Sequence, residues 1–386
     1  MQKTNESFQI LNFISTFACT MAGIYIHIPF CKSRCIYCGF YSTTALQLRQ
    51  QYVEAIAREW NMRSCEVSEP IDTIYIGGGT PSQLTTSQLQ QLFAILPPAT
   101  SEVTIEVNPD DVTDTFTALL HQLPVNRVSM GAQTFDDQRL QFLHRRHSAV
   151  QVRQAVHALR EAGIRNISID LMYGFPSETI DDWQHDIDHA LALGVEHISA
   201  YCLMIEEGTP LHRMGIAAAN EETERQMYEL LIDKLTEAGY EHYEISNFAR
   251  QSSPQGGWRG LHNSGYWHDV PYIGLGAGAH SYDRKSRSWN VSDIRKYLSA
   301  MERDERPFES EAIDGDTHYN DLITTALRTS DGLDLSILTP MHRSYCLKEA
   351  RPYLSDGLLL LSDQRLRLTR KGLFVSDMIM ASLMLV

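Results

Sequence analysis

Short runs rich in β-branched and aromatic residues recur through the first two thirds of the chain, each followed by a longer stretch with helical spacing. The runs are "GIYIHI" (23–28), "DTIYI" (72–76), "VTIEV" (103–107), "RVSM" (127–130), "NISIDL" (166–171) and "HISAYCL" (197–203). Their length and composition predict strands. Between them, "LRQQYVEAIAREW" (48–60) places Tyr52, Ile56 and Trp60 at helical spacing, and "VQVRQAVHALREAG" (150–163) ends on a glycine helix stop. Six strands alternating with helices predict an α/β chain with a parallel sheet, either open and doubly wound or a partial barrel.

After the amphipathic stretch "NEETERQMYELLIDKLTEAGY" (220–240) the alternation stops, and residues 241–290 are rich in Gly, His and aromatics. A new pattern begins near Asp321: a helix, then "DGLLLL", a polar turn, "RLRLT" and a closing helix. That order predicts a small winged-helix-like α+β domain over 321–386. The core domain is assigned to 21–240 and a connecting region to 241–320. The opening segment "MQKTNESFQILNFISTFACTM" makes a poor signal peptide and is too polar to span a bilayer. Met21 directly precedes the first strand, so residues 1–20 are expected to be an upstream extension outside the fold.

Composition narrows the function. The 386 residues are 43% hydrophobic, enough for a large core, and carry a formal net charge of −15. That charge disfavours a nucleic-acid partner, which needs a basic face, and so weighs against a DNA-binding regulator built on the C-terminal domain. Seven cysteines, an odd number in a long chain, fit a reducing cytoplasm better than a disulfide framework.

Three of them, Cys31, Cys35 and Cys38, follow the first strand in "YIHIPFCKSRCIYCGF" with the spacing C-x3-C-x2-C. Chance clustering of free thiols and a zinc site missing its fourth ligand are the alternatives, but no second Cys pair follows. Three thiolates on a 4Fe-4S cluster leave one iron open to another ligand. Further on, "IYIGGGTPS" (74–82) puts Gly77, Gly78 and Gly79 at a strand end, where the backbone can approach a ligand. It has neither the Lys-Ser/Thr of a phosphate loop nor the spacing of a dinucleotide fold.

The cysteine spacing resembles that of the radical S-adenosylmethionine (SAM) enzymes. In that family, SAM chelates the open iron through its amino and carboxylate groups, and an electron from the cluster cleaves the sulfonium to a 5'-deoxyadenosyl radical. The ordered set "YIHIPFC", "GGGTP", "VNP", "SMGAQTF", "IDLMYGFP" and "YEISNFA" resembles, within it, the coproporphyrinogen-oxidase-like subgroup over nearly all of 22–386. The resemblance implies a partial (β/α)6 TIM-like barrel with a small C-terminal domain. It also implies cluster ligands Cys31, Cys35 and Cys38, and SAM contacts from Tyr25, Tyr37, Gly78, Gly79, Thr80, Glu106, Gln133, Arg145 and Asp170. Arg145 lies in "LHRRH", where relatives more often read L-G-R-x-H, and Gly39 stands where they commonly carry Asp.

Within the subgroup, the oxygen-independent oxidases carry a fourth cysteine two positions after the third and a longer N-terminal arm. This chain has Phe40 at that position. "HNSGYW", His262 to Trp267, instead resembles the H-N-x-x-Y-W motif of the heme-chaperone branch. The resemblance then implies a cytoplasmic heme chaperone that contacts heme through His262, with His280 as a substitute, and passes it to acceptors such as membrane respiratory proteins at the inner membrane face. No catalytic residue is assigned. Oxidative decarboxylation of coproporphyrinogen III is the alternative function.

Overall fold

The structure, a computed structural model, describes residues 22–67, 69–251 and 257–385. The expectation for residues 1–20 lies outside them. Six strands pair side by side, all parallel and in chain order: β1 (Ala22–Ile28), β2 (Ile71–Gly78), β3 (Glu102–Val107), β4 (Arg127–Gln133), β5 (Asn166–Tyr173) and β6 (His197–Cys202). Parallel neighbours require long crossovers, and helices Arg49–Arg63, Thr86–Ile95, Asp114–Leu120, Ala149–Glu161 and Ile180–Ala192 supply them. This is the expected α/β fold of a partial (β/α)6 barrel.

Strand alternation decides what faces inward. Ile24, Ile26 and Ile28 of β1 are fully buried in the main apolar core, while Tyr25 and His27 point to the opposite face. The crossover helices start where the sequence supplies caps. Thr85, Ser148 and Thr179 each accept a bond from the backbone N–H three residues on, and the side chains of Gln88, Gln151 and Asp182 return it. Helix Ala149–Glu161 is followed by Gly163, whose φ of 82° suits the chain reversal after a helix.

The region 241–320 is built into the sheet. A hairpin of β7 (Tyr240–Glu244) and β8 (Asn247–Arg250) adds antiparallel to β6. On the far side β9 (Tyr272–Leu275) lies parallel beside β1, and β10 (His280–Tyr282), β11 (Ser286–Asn290) and β12 (Phe308–Ala312) continue antiparallel, giving twelve strands. One buried carboxylate ties this extension to the first crossover helix. Glu59 accepts from Arg63 Nη1 at 2.9 Å, Gly276 N at 2.8 Å, Asn290 Nδ2 at 2.7 Å and Tyr297 Oη at 2.7 Å.

A second apolar core, including Leu322, Ile323, Leu333, Cys346, Leu359, Leu366 and Ile379, organises the C-terminal part. Helices Gly315–Ala326, Pro340–Ser355 and Ser376–Leu383 pack with an antiparallel sheet of β13 (Leu333–Asp334), β14 (Leu359–Ser362) and β15 (Arg365–Leu368), in the order β13–β15–β14. Its first helix starts at Gly315, earlier than the sequence pattern alone suggests. Among the described residues, no helix is long and apolar enough to cross a membrane.

Candidate cofactor site

The strand ends of β1 to β6 and the cysteine loop enclose a cavity of about 710 Å³. Every residue predicted from sequence to hold the cluster or SAM lines it. Cys31, Cys35 and Cys38 are free, partly buried thiols. Burial pushes the Cys31 and Cys38 thiols up from their ordinary range, so as thiolates they need a positive partner. Among the described residues, no three His, Cys, Asp or Glu side chains gather on a single ion.

A polar chain joins two of the cysteines. Cys31 Sγ lies 3.6 Å from Thr80 Oγ1, and Asn108 Nδ2 donates to that hydroxyl at 3.2 Å. Arg145 Nη2 donates to Asn108 Oδ1 at 2.8 Å and to the Gly131 carbonyl at 2.6 Å, while its Nη1 reaches Cys35 Sγ at 3.7 Å. Arg145 Nε is buried with no partner in the protein, an open donor beside the cavity. A bulge between Gly131 and Gln133 shifts the β4 register by one residue before Gln133 pairs with Leu171, and Gln133 takes a left-handed φ of 67° there.

The glycine run behaves as its composition suggests. A Cβ on Gly79 would lie 2.7 Å from the Pro29 carbonyl carbon, so only glycine fits between the cysteine loop and β2. Gly78 N donates to Glu106 Oε2 at 3.0 Å and Tyr75 Oη to Oε1 at 2.8 Å. Burial still dominates and lifts Glu106 to about 7. Burial likewise raises Asp170 to about 6, against hydrogen bonding from Ser199 and the charge of Arg127. Carboxylates, guanidinium groups and aromatic rings thus converge in one partly dry space. Such a lining can meet a ligand that carries both cationic and anionic groups and a flat ring.

The structure places His262 outside this cavity. Its helix, Leu261–Trp267, packs against the starts of β2 and β3, where Leu261 N and His262 N donate to Glu102 at 2.9 and 3.1 Å. The imidazole is buried, with Nδ1 paired to Thr73 Oγ1 at 2.8 Å and Nε2 to Tyr266 Oη at 2.7 Å. Burial, then the charge of Arg127, lowers it to about 3, so it is neutral at physiological pH. It lines a separate cleft of about 230 Å³, whereas Asn263 and Tyr266 of the same motif line the large cavity. His280 sits on β10, stacked on Trp289.

The cavity also contains residues that sequence reasoning did not select: Tyr75, Arg127, Ser129, Ser199, Asn263 and Tyr266. Arg127 and Tyr75 lie within predicted strands, and strand alternation alone does not say which side faces a cavity. Asn108, at the end of "TIEVN", carried a strand-end signal but no assigned role.

Comparison with known proteins follows the same lines. The Radical SAM superfamily pattern matches residues 25–190, and that of the HemN C-terminal domain matches 313–375. The heme chaperone HemW of Bacillus subtilis is 36% identical over 77% of this chain and 79% of its own. HemW of Mycobacterium tuberculosis is 33% identical over 94% of each chain. Among solved structures, the Escherichia coli coproporphyrinogen III oxidase HemN superposes with a TM-score of 0.81 at 22% identity, covering 94% of this chain and 90% of that one, which speaks to the fold. With relatives at this level of identity across nearly its whole length, the chain belongs to the HemW family of the radical SAM superfamily.

Proposed function

We propose that the protein is a heme chaperone that holds a 4Fe-4S cluster on Cys31, Cys35 and Cys38, binds SAM at the strand ends, and delivers heme to acceptor proteins such as respiratory enzymes. The observation that carries this reading is the single cavity in which three free thiols meet the Gly78–Thr80 turn, Glu106, Gln133, Arg145 and Asp170. A bound cluster supplies an iron with an open position and a one-electron redox centre. The chain's own residues bind and orient. Thr80, Asn108 and Arg145 hold the cysteine loop against the strand ends. Gly78 N, Tyr75 and Glu106 present a hydrogen-bonding edge to the amino-acid part of SAM.

Heme as cargo draws support from the names of the family members and from "HNSGYW". As placed, His262 has both nitrogens engaged, so it acts by shaping the cavity floor and aligning Tyr266, Tyr75 and Tyr25. Coproporphyrinogen oxidation is the lesser reading, since Phe40 occupies the fourth-cysteine position. One experiment separates the two. The anaerobically reconstituted protein is titrated with heme and offered an apo-heme acceptor, and in parallel is offered coproporphyrinogen III with SAM and a reductant. Heme transfer without porphyrinogen turnover supports the chaperone. Turnover without heme binding replaces it with the oxidase.

A further inference from the structure

Helix Ile180–Ala192, "IDDWQHDIDHALA", carries two histidines on its outer side. Trp183, Ile187 and Ala190 are fully buried beneath it, whereas His185 is exposed and His189 half-buried. Residues four apart on a helix stand one above the other, and here the two rings meet. His185 Nε2 lies 3.0 Å from His189 Nε2, with the ring centroids 4.4 Å apart and the planes at 88°. The nitrogens are closer together than the centroids, so the rings converge at their Nε2 edges.

That spacing is the spacing of two ligands on one metal ion. With metal–imidazole bonds of about 2.0–2.1 Å, positions at right angles put the nitrogens about 2.9 Å apart, and tetrahedral positions about 3.3 Å. The 3.0 Å between His185 and His189 lies nearer the first. Two histidines at i and i+4 on one helix face are a known way to hold such an ion. Burial, then the charges of His185 and Arg153, lowers the His189 imidazole from its ordinary range against the charge of Asp188, so the ring is neutral and able to coordinate at physiological pH. The Phe135 ring, 5.3 Å away, packs on His189 and limits its rotation. Between the two histidines in sequence, Asp186 accepts from Thr134 Oγ1 at 2.6 Å and Phe135 N at 2.8 Å, tying this turn of helix to the residues that follow Gln133.

We propose that His185 and His189 form a second metal site, separate from the cysteine loop, which chelates a late first-row divalent cation of tetragonal or octahedral preference, Ni2+ or Cu2+, through both Nε2 atoms. Each ring then keeps its proton on Nδ1, and the ion takes the place of the shared hydrogen bond. Among the described residues no third His, Cys, Asp or Glu joins the pair, so water fills the remaining positions. The right-angle spacing and the higher affinity of these ions for imidazole place both ahead of Zn2+. A bound ion clamps one turn of the helix that braces the Gln133 turn. The site stands on its own geometry and holds whether or not the chain carries heme.

Ni2+ is the probe, because thiols do not reduce it. It is titrated calorimetrically into the anaerobically reconstituted full chain and into His185→Ala, His189→Ala and the double variant, so that any binding by the cysteines is common to all four and cancels in the difference. Both residues lie on the outer side of the helix, and Tm values measured in EDTA should agree closely. Each single variant should bind Ni2+ at least tenfold more weakly, and the double variant little worse than either, because one imidazole alone is no chelate. Saturating Ni2+ should raise the Tm of the wild type and leave the variants unmoved. His157→Ala, at an exposed histidine on another helix, should bind as the wild type does. Equal affinity in the wild type and the single variants, loss in only one of the two, or an equal loss in His157→Ala would overturn the site. Tighter binding of Zn2+ than of Ni2+ by the wild type would overturn the right-angle geometry.

Discussion

Arg145 donates to the side-chain carbonyl of Asn108 at 2.8 Å, closing the polar chain that runs from Cys31 through Thr80 to Cys35. The contact joins residues 37 apart in sequence, from the end of β3 and the turn before helix Ala149–Glu161. Asn108→Ala keeps all three thiolates but cuts the chain at its middle and leaves the buried guanidinium short of a partner. The cluster should still load. Its loss to a chelator should speed up several-fold, and SAM affinity should fall by about tenfold, the usual scale for outer-shell partners of a metal site. Anaerobic absorbance decay and calorimetric SAM titration measure both, and unchanged values would reduce the chain to a packing detail.

Replacing Cys31, Cys35 or Cys38 by Ala should abolish the broad visible absorbance of the reconstituted cluster. Cys65, Cys202 and Cys346 should be dispensable for it. Cys346 is fully buried in the C-terminal core and Cys65 is exposed. Cys202 borders the cavity, but burial and the neighbouring Glu224 push its thiol up to about 12, which keeps it protonated and unreactive. Cluster loss in Cys202→Ala would require a revised ligand set.

Glu106 gives a pH signature. Burial raises its carboxyl from the ordinary 4.5 to about 7 in the folded protein. The folded state therefore holds this proton more tightly than the unfolded one. The resulting stability is fully present below about pH 4.5 and is lost as the pH rises through about 7, a difference on the order of 3 kcal/mol. In the cofactor-free protein, Glu106→Gln should be the more stable at pH 8 and nearly equal to the wild type at pH 5, while binding SAM less well. Urea unfolding at both pH values checks this. Asp170, raised by burial to about 6, leaves a smaller slope of the same sign in the variant.

His262→Gln removes a ring stacked on Tyr75 and two hydrogen bonds, to Thr73 and Tyr266. The expected cost is on the order of 2 kcal/mol, seen as a lower Tm, since Gln regains at most part of that bonding. Heme should bind more weakly with its Soret band unmoved. A shifted band would make His262 an iron ligand.

The parallel strands were legible because each is buried on the helix side and carries a compact apolar run, as Ile24, Ile26 and Ile28 do. The residues that line the large cavity were legible where they cluster at strand ends in fixed order, as Gly78, Gly79 and Thr80 do. The strands from β9 to β12 were not, since three- to five-residue strands such as His280–Tyr282 have no period long enough to read. The surroundings of His262 were equally hidden. Thr73 is 189 residues away, and nothing local announces that it would occupy the imidazole. Arg127 was missed because it opens a strand, whereas chemistry in parallel folds gathers at the closing end.

The neighbours of β1 carry a consequence for biosynthesis. The strand pairs with β2 on one side and with β9 on the other, and β9 spans Tyr272–Leu275. On a ribosome adding roughly 5–20 residues per second, a nascent chain that has finished β2 waits about ten seconds or more before β9 is translated. Throughout that interval β1, which leads directly into Cys31, Cys35 and Cys38, is an unprotected edge strand open to wrong partners. On the proposed reading, stable cluster insertion is expected to follow translation through residue 275, and a truncated nascent chain would expose three thiols on an unfinished sheet.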